Sequence, residues 1–294
     1  MSLDSVDAVA EALARENYLA DPALATSVYL AAVLEQPLLL EGEAGVGKTE
    51  VARALAGALG ARLIRLQCHE GIDVHHALYD WDYARQLLAL RAAETGDVGA
   101  DHQQLYSRDF LLRRPLLEAL EHDGPVVLLI DEIDRADDEF EAFLLEILSD
   151  FQITIPEIGT ITARRRPAVI LTSNRTRELH DALKRRCLFH WITHPSLARE
   201  IEIVRLRVPG VSERLAAATA AFVAGLRGMD LAKAPGVAET IDWTQALVAL
   251  GCEELDATVV EQTLGAVLKH HEDLELLRDE TMLALLGQAR AAAA

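Results

Sequence analysis

The sequence predicts an α/β domain built on a parallel sheet, followed by a smaller all-α domain, and three observations lead there. Short apolar runs at 38–40, 63–68, 126–130, 168–172 and 188–192 read as buried strands. Helical patterns alternate with them as far as about residue 194. From His194-Pro195-Ser196 onward the chain is helix after helix, so the domains are set at 1–194 and 195–294.

Each element has its own signal. Asp21-Pro22 starts a helix, with Asp as N-cap and Pro at the first helical position. The run 38–40 ends in Glu41-Gly42, and a glycine loop then feeds an Ala/Leu-rich helix. The stretch 71–104 mixes polar and aromatic residues and reads as irregular. Helical periodicity returns over 110–120 and is closed by Asp123-Gly124. The strand at 126–130 ends in Asp131-Glu132, and a helix over 137–148 follows with Phe140, Phe143, Leu144 and Ile147 on one face. Alternation with a Pro/Gly-bearing middle makes 151–163 a β-hairpin tipped at 156–159. The strand at 168–172 ends in Ser173-Asn174, and a short helix over 179–186 leads to the strand at 188–192.

Composition removes several function classes. The 294 residues are 51% apolar, 26% charged and only 5% aromatic, so the core is mostly Leu, Val, Ile and Ala. With 28 Lys+Arg against 47 Asp+Glu the formal charge is −19, which argues against a general polyanion binder and for no nucleic-acid partner. No apolar run approaches the roughly 20 residues that span a bilayer. The acidic start MSLDSVDAVAEALARE lacks a basic n-region and an apolar h-region. Three cysteines without a CxxC argue against a disulfide framework. A soluble, cytoplasmic protein without an integral membrane segment is the expectation.

Chemistry concentrates in the glycine loop. Gly42, Glu43, Ala44, Gly45, Val46, Gly47, Lys48 and Thr49 fit the pattern G-x-x-x-x-G-K-S/T between a strand and a helix, the context that a P-loop requires. Glycines let backbone N–H groups converge on phosphate oxygens at a helix N-terminus. Lys48 is placed to reach the β- and γ-phosphates, and the Thr49 hydroxyl to coordinate Mg²⁺. Asp131-Glu132 at a strand end is the natural second half: Asp131 to hold Mg²⁺, Glu132 to orient and deprotonate the attacking water. An ordinary acidic turn is the alternative for that pair. No NKxD motif occurs, so ATP is favoured over GTP, and the single glycine loop implies one site per chain.

GEAGVGKTE, VVLLIDEIDRAD, VILTSN and a Lys-Arg-Arg-Cys stretch, in this order, resemble the AAA+ ATPases of the MoxR type. The resemblance covers nearly the whole chain and implies a P-loop NTPase (AAA+) sheet domain followed by a helical lid. QCHEGIDVHHALYDWDYARQLLAL, EFEAFLLEILSDFQITIPEIGTI and PGVAETIDW are most similar to the CoxD-like branch, associated with maturation of molybdenum hydroxylases such as carbon monoxide dehydrogenase. By that resemblance Asn174 matches the first sensor, an amide that positions the attacking water; a turn Asn capping the next helix is the alternative. Arg186 matches an arginine finger acting on a neighbour's ATP, with Arg185 as its neighbour and fallback; a solvated basic helix end is the alternative. Arg135 is a weaker candidate for an intersubunit contact. The resemblance further implies a homo-oligomer, a hexameric ring, with a von Willebrand A domain adaptor and a metalloenzyme client.

The chain departs from the family pattern at one place. The second-sensor arginine expected early in a lid helix is missing from the stretch 236–243, so either another arginine substitutes or lid closure senses nucleotide differently. Residues 71–104 take the place of the family's helix-2 insert, where Tyr79, Trp81 and Tyr83 either touch a client or anchor the insert. The hairpin 151–163 takes the place of the insertion before the first sensor. Cys187, His190, Cys68 and His69 suggest zinc on paper, but the family's sheet order puts their strands at opposite edges, so no structural metal is expected. The other classes are a P-loop small-molecule kinase and a nucleic-acid-dependent AAA+ ATPase. Finally, 160–210 holds 11 Lys+Arg against 4 Asp+Glu, while the segments before and after it are net acidic. Positive charge is thus concentrated around Arg175, Arg177, Arg185 and Arg186.

Overall fold

The computed structural model describes residues 4–94, 105–277 and 280–293. Residues 95–104, the end of the expected insert, lie outside them. The chain packs as two compact units: residues 1–16, 20–41 and 49–191 form one, and residues 17–19, 42–48 and 192–294 the other. The phosphate-loop segment therefore groups with the helical residues.

The first half of the chain runs α1 (Val6–Arg15), α2 (Pro22–Leu34), β1 (Leu38–Gly42), α3 (Lys48–Leu59), β2 (Arg62–Gln67), α4 (Val74–Ala77), β3 (Tyr79–Trp81), α5 (Tyr83–Glu94), β4 (Leu111–Arg113) and α6 (Pro115–Glu121). It continues through β5 (Val126–Asp131), α7 (Asp138–Asp150), β6 (Gln152–Ile155), β7 (Gly159–Thr162), β8 (Ala168–Ser173), α8 (Asp181–Lys184) and β9 (Leu188–Ile192). Five strands make one sheet in the order β2-β5-β8-β1-β9. Neighbours β2, β5, β8 and β1 pair in parallel, with Gln67 opposite Asp131, Ile130 opposite Leu171 and Leu40 opposite Thr172. This register lines up the carboxyl ends of the strands, where ligands bind in open α/β sheets. The interior strand β5 is buried at every position, as its unbroken apolar run requires. Leu39, Leu128, Ile130, Leu171, Phe140 and Leu144 belong to the core that this sheet shares with its helices.

Two segments differ from the sequence expectation. The stretch 71–104 is ordered over its described part: α4, β3 and the twelve-residue α5 occupy 74–94, and β3 pairs antiparallel with β4. The segment YARQLLALRAAE is made almost wholly of strong helix formers, whereas its mean apolar face is weak, so periodicity missed what propensity supplies. The helix expected over 110–120 begins only at Pro115, behind strand β4. Proline pushes Arg114 into extended backbone (φ −100°, ψ 172°) and itself takes the first helical position. The hairpin is β6 with β7, Ile155 paired to Gly159 across the tip.

The second unit carries α9 (Leu197–Arg207), α10 (Glu213–Arg227), α11 (Val237–Ala249), α12 (Ala257–Thr263), α13 (His271–Leu276) and α14 (Glu280–Ala292). Its core gathers Phe222, Trp243, Leu247, Val260 and Leu286, with the Trp243 indole donating to Thr263 Oγ1 at 2.8 Å. A buried ion pair also sits in it: Arg227 reaches both oxygens of fully buried Glu200 at 2.5 and 2.7 Å, and Thr240 donates to the same carboxylate at 2.6 Å.

Candidate nucleotide site

The loop 42–48 leaves β1 and enters α3 at Lys48, so the loop's last residues are the helix's first, where amides lack an intrahelical carbonyl. Gly45 (φ +77°) and Gly47 (φ +94°) hold left-handed backbone that a side chain would strain. Glu43 and Ala44 are exposed; Val46 and Lys48 are buried. The Lys48 ammonium donates to Gly42 O at 2.8 Å and to Glu43 O at 2.6 Å, which keeps its charge inside the loop. A positive charge held at a helix N-terminus in a glycine turn is a donor set that fits an anion. Glu43 also pairs with His194 at 2.9 Å, and the Tyr18 ring lies beside Gly47.

In the sheet unit four expected site residues are joined by hydrogen bonds. Thr49 Oγ1 donates to Asp131 Oδ1 at 3.1 Å, and Asn174 Nδ2 lies 3.5 Å from Glu132 Oε1. Asp131 is 2% exposed, so its charge needs compensation, which Arg65 supplies from Nε at 2.9 Å and Nη2 at 2.5 Å. A hydroxyl and a carboxylate this close are hard oxygen donors of the kind Mg²⁺ takes. Glu132 sits at φ 55°, ψ 49°, a left-handed conformation uncommon for residues other than glycine. Its carboxylate receives Gln67 Nε2 at 3.0 Å and Arg135 Nη1 at 3.2 Å. Arg135, considered for an intersubunit contact, thus pairs within its own chain.

Several residues of this cluster have no sequence motif. Thr172 Oγ1 accepts from the Glu132 amide at 2.9 Å and donates to Asp131 Oδ1 at 2.5 Å, tying the two acids together. Asp134 Oδ2 receives the amides of Asn174 (3.2 Å) and Thr176 (2.8 Å), which shapes the turn after β8 and aims Asn174 at Glu132. Asn174 is therefore engaged with the acid, and no side chain caps α8. The D-E-I-D spacing could have pointed to Asp134; nothing in the sequence points to Arg65, Gln67 or Thr172, which only the register brings alongside. Buried Cys68 lies among these carboxylates, and burial first, then Asp131, Asp134 and Glu132, push its thiol up to about 12.

Arg185 and Arg186 are not part of the cluster. Both are exposed, and Arg186 Nε donates to Ser149 Oγ at 2.8 Å. Of the other basic residues, Arg175 stacks over Trp191 at 5.5 Å, and Arg177 is spent internally on Glu141 and the Ala136 carbonyl. Trp81 is buried and meets Tyr79 and Tyr106 edge-on at 6.0 and 5.3 Å; only Tyr83 of the three insert aromatics stands well exposed. Cys68 directly follows β2 and Cys187 directly precedes β9, the two edge strands of the sheet, with three strands between.

The parallel five-stranded sheet, the glycine loop after β1 and the acidic pair at the end of β5 define an AAA+ P-loop NTPase. Residues 37–187, just over half of the chain, match the AAA domain (dynein-related subfamily), and the chain belongs to that family. Curated relatives include a ClpA homolog protein of Fuscovulum blasticum, 31% identical over 159 residues, which cover 52% of this chain and 17% of that protein. Chaperone protein ClpB 2 of Thermosynechococcus vestitus is 31% identical over 175 residues, 58% of this chain and 16% of its own length. The chain thus spans about a sixth of the length of these relatives. Two RuvB mutants of Thermotoga maritima share the fold at 16% identity: one with TM-score 0.51 over 92% of this chain and 75% of that one, the other with 0.50 over 89% and 71%. Among the described residues no helix is long and apolar enough to cross a membrane.

Proposed function

We propose that this chain is a MoxR-type AAA+ ATPase of the CoxD-like branch, an ATP-hydrolysing chaperone that remodels a client during maturation of the metal site of a molybdenum hydroxylase such as carbon monoxide dehydrogenase. The observation that carries the ATPase reading is the joining of Thr49, Asp131, Glu132 and Asn174, from three separate segments, at the carboxyl ends of β5 and β8 and the start of α3. The stretches QCHEGIDVHHALYDWDYARQLLAL and PGVAETIDW support the branch, and the likeness to chaperone protein ClpB 2 supports action as a chaperone.

In this proposal Lys48 and the amides of residues 42–49 bind the phosphates. Thr49 and Asp131 hold Mg²⁺, which when bound neutralises charge on phosphate oxygens. Glu132 takes the proton of the attacking water, and Asn174 orients that water. Arg186, or Arg185 beside it, reaches a neighbour's ATP in a hexameric ring. Residues 1–194 act as the nucleotide-binding domain and 195–294 as the lid, in a cytoplasmic complex with a von Willebrand A domain adaptor.

Glu132→Gln should keep ATP binding and lose turnover by at least about 100-fold, the scale of a general base, whereas Lys48→Ala should lose binding. Pull-down with Glu132→Gln and ATP should retain a metalloenzyme subunit and a von Willebrand A protein, identified by mass spectrometry. An ATPase stimulated by DNA, with neither protein retained, would overturn the remodelling proposal.

A further inference from the structure

The stretch 236–243 has no arginine, and the structure has something else in that place. Gly236 is the N-cap of α11 in ordinary extended backbone (φ −85°, ψ −175°), and glycine offers no side-chain oxygen to the first-turn amides. The acceptor comes from the phosphate loop: Gly45 O receives the amides of Val237 at 3.0 Å and Ala238 at 3.3 Å. Glu239 closes the same turn, its Oε2 accepting from the Gly236 amide at 2.9 Å. All these residues belong to the second unit.

The contact requires two glycines packed backbone to backbone. A Cβ on Gly236 would stand 2.6 Å from Gly45 Cα and 2.8 Å from its carbonyl carbon and oxygen. One on Gly45 would stand 3.0 Å from Gly236 Cα and 2.9 Å from Glu239 Oε2. The α11 side of the contact is anchored. Pro235 O receives Arg227 Nε at 2.7 Å, and Thr240 is bonded to buried Glu200, so residues 235–240 are tied to α9 and α10.

A trans peptide points its C=O and its following N–H in opposite directions. Holding Gly45 O on α11 therefore turns the Val46 N–H away from α11, and a glycine loop binds phosphate through such amides. We propose that Gly236 is a positioning residue of the phosphate loop: the first turn of α11 sets the Gly45–Val46 peptide, so that nucleotide binding and α11 are coupled through backbone hydrogen bonds without a side-chain cation. The proposal rests on the nucleotide-binding reading above. It predicts reciprocity, since anything that α11 does for nucleotide affinity nucleotide must do for α11.

The test is ADP and ATP affinity of the full chain by calorimetry, with amide hydrogen exchange at Val237 and Ala238. The native chain should bind nucleotide, and ADP should slow exchange at both amides. Gly236→Ala, whose backbone angles alanine adopts freely, should weaken binding about tenfold, because its Cβ forces the two backbones apart and breaks the two hydrogen bonds to Gly45 O. ADP should then no longer protect the two amides. Should that variant fail to fold, Glu239→Ala is expected to weaken binding severalfold and Glu239→Gln to restore it, because an amide oxygen can take the same N–H. Native affinity in Gly236→Ala, or equal affinities in the native chain and both Glu239 variants, overturns the proposal and leaves nucleotide binding standing. A native chain that binds no nucleotide overturns both.

Discussion

Asp131 and Glu132 are neighbours in sequence but face different partners: Asp131 is buried against Arg65, Thr49 and Thr172, while Glu132 is turned by its left-handed backbone toward Gln67, Arg135 and Asn174. Thr172 holds the two together with one hydroxyl, as acceptor to one and donor to the other. Thr172→Val keeps the shape and removes both bonds, leaving a partly buried amide and part of a buried carboxylate without that partner. It should lower stability by about 1–3 kcal/mol in urea unfolding and depress ATP turnover, while Thr172→Ser should keep most of both. The insert aromatics also separate at this scale. Trp81 and Tyr79 pack inward, so only Tyr83 remains well exposed for a partner.

Between elements, α7 and the segment after β8 are braced by one buried ion pair. Glu141 is fully buried on α7, accepts the His180 amide at 2.9 Å, and pairs with Arg177, whose Nε also donates to Ala136 O at 2.8 Å. The sequence marks Arg177 as part of a basic segment, yet its charge is consumed inside the unit. Arg177→Leu should cost about 3–5 kcal/mol by urea unfolding, because it strands a buried carboxylate, and adding Glu141→Leu should recover much of that loss. The same brace ends near Asn174, so the single variant should also lower turnover.

Over the whole molecule the charge of −19 is uneven, with residues 160–210 the one basic stretch. Arg185 and Arg186 from that stretch are exposed on the sheet unit, where Arg186 donates to Ser149. A finger that serves a neighbour must be exposed. If Arg186 acts in trans, ATPase rate per chain should rise steeply with protein concentration, and Arg186→Ala should flatten the rise while sparing ATP binding. Turnover independent of concentration and untouched by Arg186→Ala would falsify the ring mechanism.

The sequence by itself determined the strand–helix alternation, the glycine loop, the acidic pair and the helical last third, because each is a local pattern of apolar spacing or turn chemistry. It misled at 71–94 and 110–120, where propensity and one proline outweighed periodicity. Only the tertiary structure decided that Arg65, Gln67 and Thr172 attend the acids, because parallel register places residues about forty to sixty-five positions apart side by side. It likewise decided that Gly236 meets Gly45, since close approach of two backbones is a property of packing and leaves no mark in either segment beyond a glycine.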